Sequence, residues 1–184
     1  MKNINELKEQ IAQGNKFKYL FFLSHIQKSQ HIDKSCLSQW YPAGFSVDGV
    51  YYATAEHYMM AEKARLFDAS KVEKIINAKS AGEAKALGRE VENFNEDIWE
   101  EVSFDVVVKG NLAKFSQNKE LKEFLLASKN RVLVEASPKD RIWGIGLSAT
   151  DELAEQPLKW KGTNKLGFAL MQVREKILKD EQCK

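Results

Sequence analysis

Residues 52–63, Tyr-Ala-Thr-Ala-Glu-His-Tyr-Met-Met-Ala-Glu-Lys, constrain the fold more than any other stretch of the chain. Thr54 stands where a helix N-cap belongs, and the residues that follow recur at helical spacing. On such a helix Ala55, Met59 and Leu66 flank one side of an apolar arc, while Met60 and Phe67 flank the other. Glu56 and Lys63 project from the middle of that arc, two turns or about 10 Å apart. A charge costs several kcal/mol to bury unless it is paired or a polar cavity receives it. Either this helix lines a pocket, or Glu56 merely pairs with a core cation, or the helix edge is wet. The stretch alone leaves these readings open.

The chain has 184 residues, enough for one domain with its own core. At 43% hydrophobic and 29% charged residues, its composition excludes a disordered chain. A formal net charge of +2 gives no general field for nucleic acid, although a local basic pocket for one phosphate is compatible with it. The start, Met1-Lys-Asn-Ile-Asn-Glu-Leu-Lys8, has no apolar signal-like core, and no apolar run approaches membrane-spanning length. A cytoplasmic protein without membrane contact is expected. Cys36 and Cys183 lie far apart without a C-x-x-C pattern and read as reduced thiols. His25, His31 and His57 lack ligand spacing, so no metal site is expected.

Along the chain, residues 3–14 read as a short amphipathic helix ended by Gly14, an N-terminal appendage on the domain. Residues 17–23 suit a buried strand, and the polar residues 24–40 suit a loop. Asp48-Gly49 between apolar runs predicts a hairpin. Ser70-Lys-Val-Glu73 and Ser80-Ala-Gly-Glu83 match the capping box, predicting short helices through Ala78 and about Arg89. A longer helix is expected from Asn95 to about Phe115, with Ile98, Val102 and Val106 on one face and a weak point at Val106–Val108 and Gly110. A further helix over 118–128, a strand over 131–135, an irregular stretch over 136–161 and a last helix capped by Asn164 complete the chain. The expected fold is mainly α: residues 1–184 as a single compact helical domain with a few short β-strands.

Asp140 and Trp143 fall in a loop just after a predicted strand, a common position for a site. Gly144 and Gly146 allow close backbone approach to a ligand, or positive φ. The plainer reading is an Asx turn from Asp140 with Trp143 as a core aromatic. Some of these residues suit glycosidic chemistry, where one carboxylate stabilises an oxocarbenium-like state and another activates water. Glu56 and Asp140 are the candidates, with Trp143 and Trp99 as stacking faces and Lys63 and Arg89 as donors to phosphate oxygens. For each cation the commoner alternative is a solvated surface charge.

Asp48-Gly49, Thr54-Ala-Glu-His-Tyr-Met-Met60 with Lys63, Ala84-Lys-x-x-Gly-Arg89, Lys114-Phe-Ser-Gln-Asn118, Leu133-Val-Glu-Ala136, Asp140-x-x-Trp-Gly-x-Gly146 and Asn164-x-Leu-Gly167 occur in that order. Together with the Leu-Met-x-Val-Arg174 ending, they resemble the core motifs of the YbiA-like proteins, or NADAR family, from about Tyr19 to Ile177. The resemblance implies a compact, mainly α N-glycosidase that needs no metal or organic cofactor. Its substrate would be a small ribose-phosphate molecule, most directly a ribosylaminopyrimidine 5′-phosphate of the early riboflavin pathway. Other members resemble glycohydrolases that remove ADP-ribose from modified guanine in DNA, so ADP-ribosylated nucleic acid is the alternative partner. A third reading is a non-catalytic ADP-ribose or nucleotide-binding module. By the resemblance, catalytic and pocket positions fall on Glu56, Asp140, Trp99 and Trp143, with Lys63 and Arg89 toward phosphate; Gly144 joins them as a substrate-binding candidate from its place in the loop. The chain departs from many members before Trp40, with Phe22-Leu-Ser-His25 and an insertion reaching Ser38-Gln-Trp40. That departure bears on the substrate more than on the reaction.

Overall fold

Side-chain caps and one tight turn set most element boundaries in the computed structural model, which describes residues 1–182. Helix α1 (Ile4–Ala12) starts at Asn3, whose side chain accepts from the Asn5 and Glu6 N–H groups. Strand β1 (Tyr19–Phe22) follows, then the hairpin of β2 (Phe45–Val47) and β3 (Val50–Tyr52). Asp48 and Gly49 between them have φ of 51° and 80°, the left-handed pair that a two-residue hairpin turn requires. Helix α2 (Ala55–Phe67) opens at Thr54, which accepts from the His57 N–H. The remaining elements are α3 (Val72–Ile76), α4 (Ala81–Arg89), α5 (Glu96–Gln117), α6 (Lys119–Ala127), β4 (Val132–Glu135) and α7 (Lys165–Gln182). The domain is mainly α, as the sequence predicts. No helix among the described residues is long and apolar enough to cross a membrane.

Helix α2 lies at the centre, against α3, α4 and α5. On the other side β1 and β4 pair in parallel, Tyr19 opposite Val132 through Phe22 opposite Glu135, and α7 packs on β4. Val132, Leu133 and Val134 are fully buried, so the strand delivers Glu135 from the core to its edge. Helix α1 covers one end of the domain through the fully buried Leu7. Cys36 is a buried free thiol that burial pushes up to about 12, while Cys183 lies outside the described residues.

Several local expectations change in the fold. Leu66 leaves the apolar arc of α2 and is 47% exposed, because the last turn of the helix emerges from the core. Ser70 caps nothing: it donates to Asp68 Oδ1 at 2.6 Å within a 3-10 turn that precedes α3. Ser80 does cap α4, but Glu83 accepts from the Lys79 N–H instead of that of Ser80. The Asn164 side chain reaches β4, accepting from the Glu135 N–H at 3.0 Å and donating to the Leu133 carbonyl at 2.9 Å. It therefore pins the strand and does not cap α7.

The largest change concerns α5, which runs unbroken through Gly110. Its buried face is Ser103, Val107, Gly110, Asn111 and Lys114, whereas Ile98 is 43% exposed. Hydrogen bonds decide this. Asn111 Nδ2 donates to Gln39 Oε1 at 2.7 Å, and Lys114 Nζ donates to the carbonyls of Cys36 (2.7 Å) and Ser38 (2.9 Å). Burial pulls the Lys114 amine down to about 7. Its neutral form still has two N–H donors, enough for both carbonyls. Residues 24–40 thus read correctly as a loop, but its last turn is clamped into the core.

Replacing Lys114 by Met should remove both bonds and destabilise the domain by about 2 kcal/mol or more, read by urea unfolding at pH 7. The folded-state amine lies below its ordinary 10.5, so the wild type gains stability as pH rises from about 7 towards 10.5. The Met variant should lack that component of the slope.

Candidate active site

A cavity of about 240 Å³ opens where α2, α4, the 38–40 segment and the end of β4 meet. Its inner wall is α2, through Glu56, Met59, Met60 and Lys63. Glu56 is only 4% exposed, and its N–H donates to the Gln39 carbonyl at 3.0 Å. That bond ties the 38–40 segment, already held by α5, to the first turn of the catalytic-candidate helix. The next residue, His57, is locked between Thr54 Oγ1 (2.8 Å) and the Ala78 carbonyl (3.0 Å), so it serves the frame.

Helix α4 supplies the cationic wall. Lys85 and Arg89 are one turn apart and share the cavity face with Gly88. Gly88 has no side chain because Met60 fills its place: an added Cβ would overlap Met60 Sδ. Lys63 reaches across to this helix, donating from Nζ to the Gly88 carbonyl at 2.8 Å, and lies 4.0 Å from the Phe94 ring centroid. Burial lowers its amine. Lys63 and Glu56 form no ion pair among the described residues; the charge that acts most on Glu56 is Lys85.

The opposite wall carries Glu135, Asp140 and Trp143, with Trp99 from α5 and Leu166 from α7. Asp140 Oδ1 accepts from the N–H groups of Trp143 (2.7 Å) and Ile142 (2.9 Å). The Asx turn and the cavity position hold together, since these bonds use Oδ1 alone. Gly144 does not line the cavity. A Cβ there would fall 2.9 Å from the Glu135 carbonyl and 3.0 Å from that of Asp140, so its bare backbone closes the loop onto β4. Gly146, at φ 68°, takes the left-handed turn.

Three carboxyl groups therefore surround one small space. Burial raises the Glu56 carboxyl, opposed by Lys85, the Trp40 indole and Arg89, and reinforced by Asp140. Burial also pushes Glu135 up to about 8, reinforced by Asp140 and Glu56 against Lys85. Glu135 Oε2 is buried without a hydrogen-bond partner among the described residues.

Of the sequence candidates, Glu56, Asp140, Lys63, Arg89, Trp99 and Trp143 meet at this cavity, and Gly144 stands outside it. Sequence reasoning missed Glu135, Lys85 and Trp40. A strand of three apolar residues that ends on an acid was a signal for Glu135, and the spacing to Arg89 was one for Lys85. Trp40, 5.8 Å from Lys85 Nζ, comes from the insertion that departs from the resembled pattern. Nothing local marks it as part of a site.

Because Lys85 lowers the Glu56 carboxyl most strongly, Lys85→Met should move its titration to higher pH. Carbon-13 NMR of the glutamate side-chain carboxyls should show the shift.

A family profile described as the NADAR domain matches residues 22–178. An N-glycosidase of Acanthamoeba polyphaga mimivirus is 44% identical over 86% of this chain and 95% of its own length. The Escherichia coli N-glycosidase YbiA is 35% identical over 71% of this chain and 74% of its own. The NMR structure of E. coli YbiA superposes with a TM-score of 0.72 and 28% identity, covering 91% of this chain and 89% of that one. A riboflavin biosynthesis protein of Vibrio vulnificus is 33% identical over 77% of this chain, but over only 35% of its own length.

Proposed function

This chain belongs to the NADAR family and is a hydrolase acting on N-glycosyl bonds, and we propose that the bond it cleaves joins ribose to the base of a ribosylaminopyrimidine 5′-phosphate. The observation that carries the proposal is the convergence of buried Glu56, Asp140, three tryptophans and unneutralised cations on one cavity. None of Lys63, Lys85 and Arg89 has an acidic ion-pair partner among the described residues. The cavity of about 240 Å³ shares Trp99 and Trp143 with an adjoining one of about 220 Å³, and the two together have room for a nucleotide-sized metabolite. The name of the Vibrio vulnificus relative supports a riboflavin-pathway substrate.

In this reading the C1′–N bond breaks through an oxocarbenium-like state. Glu56 takes a proton from the water that attacks C1′; burial opposes its carboxylate form, and Lys85, the Trp40 indole and Arg89 favour it. Asp140, fixed by its backbone bonds, accepts from ribose hydroxyls with the oxygen those bonds leave free. Trp99 and Trp143 hold the base and sugar by their faces. Lys63 and Arg89 receive the 5′-phosphate, Lys63 with the ammonium donors not committed to Gly88. Neither a metal nor an organic cofactor takes part in these steps.

A second substrate, an ADP-ribosyl group on guanine, draws support from one feature. Trp99 and Trp143 also line an adjoining cavity of about 220 Å³, giving room beyond the first chamber, with Arg141 on its wall and Lys165 paired to Glu100. The small net charge favours the metabolite over DNA.

Glu56→Gln keeps the shape of the side chain and removes its charge. It should lower turnover of a ribosylaminopyrimidine 5′-phosphate about 10²–10⁴-fold, measured by chromatography of released base and ribose 5-phosphate. Wild-type turnover in that variant would remove Glu56 from the chemistry. Release of free ADP-ribose from a modified single-stranded oligonucleotide, at rates above those on the metabolite, would transfer the assignment to the second substrate. Tight nucleotide binding by calorimetry without product over hours would make the domain a binding module.

A further inference from the structure

Among the acidic residues of the cavity, Glu135 combines a rigid backbone with a free carboxyl. Its N–H donates to Asn164 Oδ1 at 3.0 Å, its carbonyl accepts from the Ile145 N–H at 3.0 Å, and it sits opposite Phe22 in the β1–β4 pair. The backbone is held from three sides, yet Oε2 is buried without a partner among the described residues. A buried polar atom left unpartnered costs about 1–3 kcal/mol, so a purely structural role would be a poor use of this position. The side chain instead lines the cavity that holds Glu56 and Asp140.

We infer that Glu135 is the general acid of the reaction, donating its proton to the nitrogen of the departing base. The inference rests on N-riboside hydrolysis taking place in this cavity. An amine nitrogen leaves poorly as an anion, so bond breaking needs a proton delivered to it. The C1′–N electron pair goes to nitrogen, and the Glu135 proton joins it, leaving Glu135 as a carboxylate. The water oxygen bonds to C1′, and its proton goes to Glu56. One water is consumed, and base and free sugar are formed. A proton passing from Glu56 to Glu135 through solvent restores the starting state.

The surroundings fit a group that holds a proton at neutral pH. Glu135 faces Glu56 and Lys63 on α2, Lys85 and Arg89 on α4, and Asp140 on the loop after β4, while α5 and α7 present Trp99 and Leu166. Burial and the two neighbouring acids push its carboxyl up to about 8, with Lys85 opposing. Burial and Asp140 raise both glutamates and Lys85 opposes the shift at both; what separates them is that the Trp40 indole and Arg89 also favour the Glu56 carboxylate, whereas Glu135 Oε2 has no partner among the described residues. Because the carboxyls interact, the pH profile reports the set and not any one residue.

The test compares two substrates that share ribose 5-phosphate. One is the ribosylaminopyrimidine, whose nitrogen requires a proton; the other is 4-nitrophenyl riboside 5-phosphate, whose phenolate leaves without one. In wild-type protein, kcat on the N-riboside should fall as pH rises through about 8, whereas kcat on the nitrophenyl substrate should not follow that limb. Glu135→Gln should lower kcat on the N-riboside about 10²–10⁴-fold, far more than on the nitrophenyl substrate, and abolish the basic limb. Equal losses on both substrates, or a basic limb shared by both in wild-type protein, would overturn the assignment while leaving hydrolysis intact. Absence of wild-type turnover on every N-riboside would instead overturn the reading beneath it, and the assignment with it.

Thermal unfolding gives an independent readout. The folded-state carboxyl lies above its ordinary 4.5, so wild-type protein loses stability as pH rises from 4.5 through about 8. Glu135→Gln should lack that loss and melt higher than wild type at pH 9. A variant that unfolds more readily than wild type at pH 9 would show that the acid serves packing.

Discussion

Keeping carboxyl groups out of water is the constraint on which this structure turns. Glu56 is almost wholly buried, and Glu135 hides an oxygen that has no hydrogen-bond partner among the described residues. Chains ordinarily avoid both conditions, because desolvation penalises the charged form and an unmet polar atom penalises either form. Here the penalty is confined to one small cavity, where Lys85 offsets part of it and Asp140 adds to it. Interacting carboxyls that face indole rings and cations in one cavity are the setting in which acid and base roles can be divided.

The scaffold holds that arrangement through polar bonds as much as apolar packing. Lys114 and Asn111 on α5 seize the 36–39 backbone and the Gln39 side chain, and the Gln39 carbonyl takes the Glu56 N–H. On the far wall Asn164 clamps β4 behind Glu135, and Asp140 gathers the N–H groups of its own loop. The near wall is thereby tied to α5, and the far wall to the residue that precedes α7. Damage to Lys114 or Asn164 would reach the site without touching it, so stability and activity are coupled in this domain.

Legibility in the sequence followed the range of the interactions. Thr54, Asn95 and the Asp48-Gly49 turn act within a few residues, and their elements lie where the sequence predicts. The buried face of α5 was misread because a hydrophobic pattern registers apolar contact and not the bonds of Lys114 to a segment far away in sequence. Asn164 was read as a cap for the same reason, since its partners lie on β4. Glu56 and Lys63 announced a charged notch, but that Lys63 serves Gly88 and Lys85 serves Glu56 depends on how α4 crosses α2. Asp140, Trp143 and Arg89, which belong to the ordered motifs, and Trp99, which the resemblance implies, all line one cavity in the fold. The motifs also include Gly144, whose task is to let the loop close against β4.

Product analysis across a panel of N-ribosides, with and without a 5′-phosphate, bears most directly on the claim that this cavity hydrolyses an N-glycosyl bond. The account predicts equal amounts of free base and ribose 5-phosphate from phosphorylated substrates, and much slower release from the unphosphorylated ones. It would be contradicted if no member of the panel gave free sugar, or if loss of the phosphate left the rates unchanged.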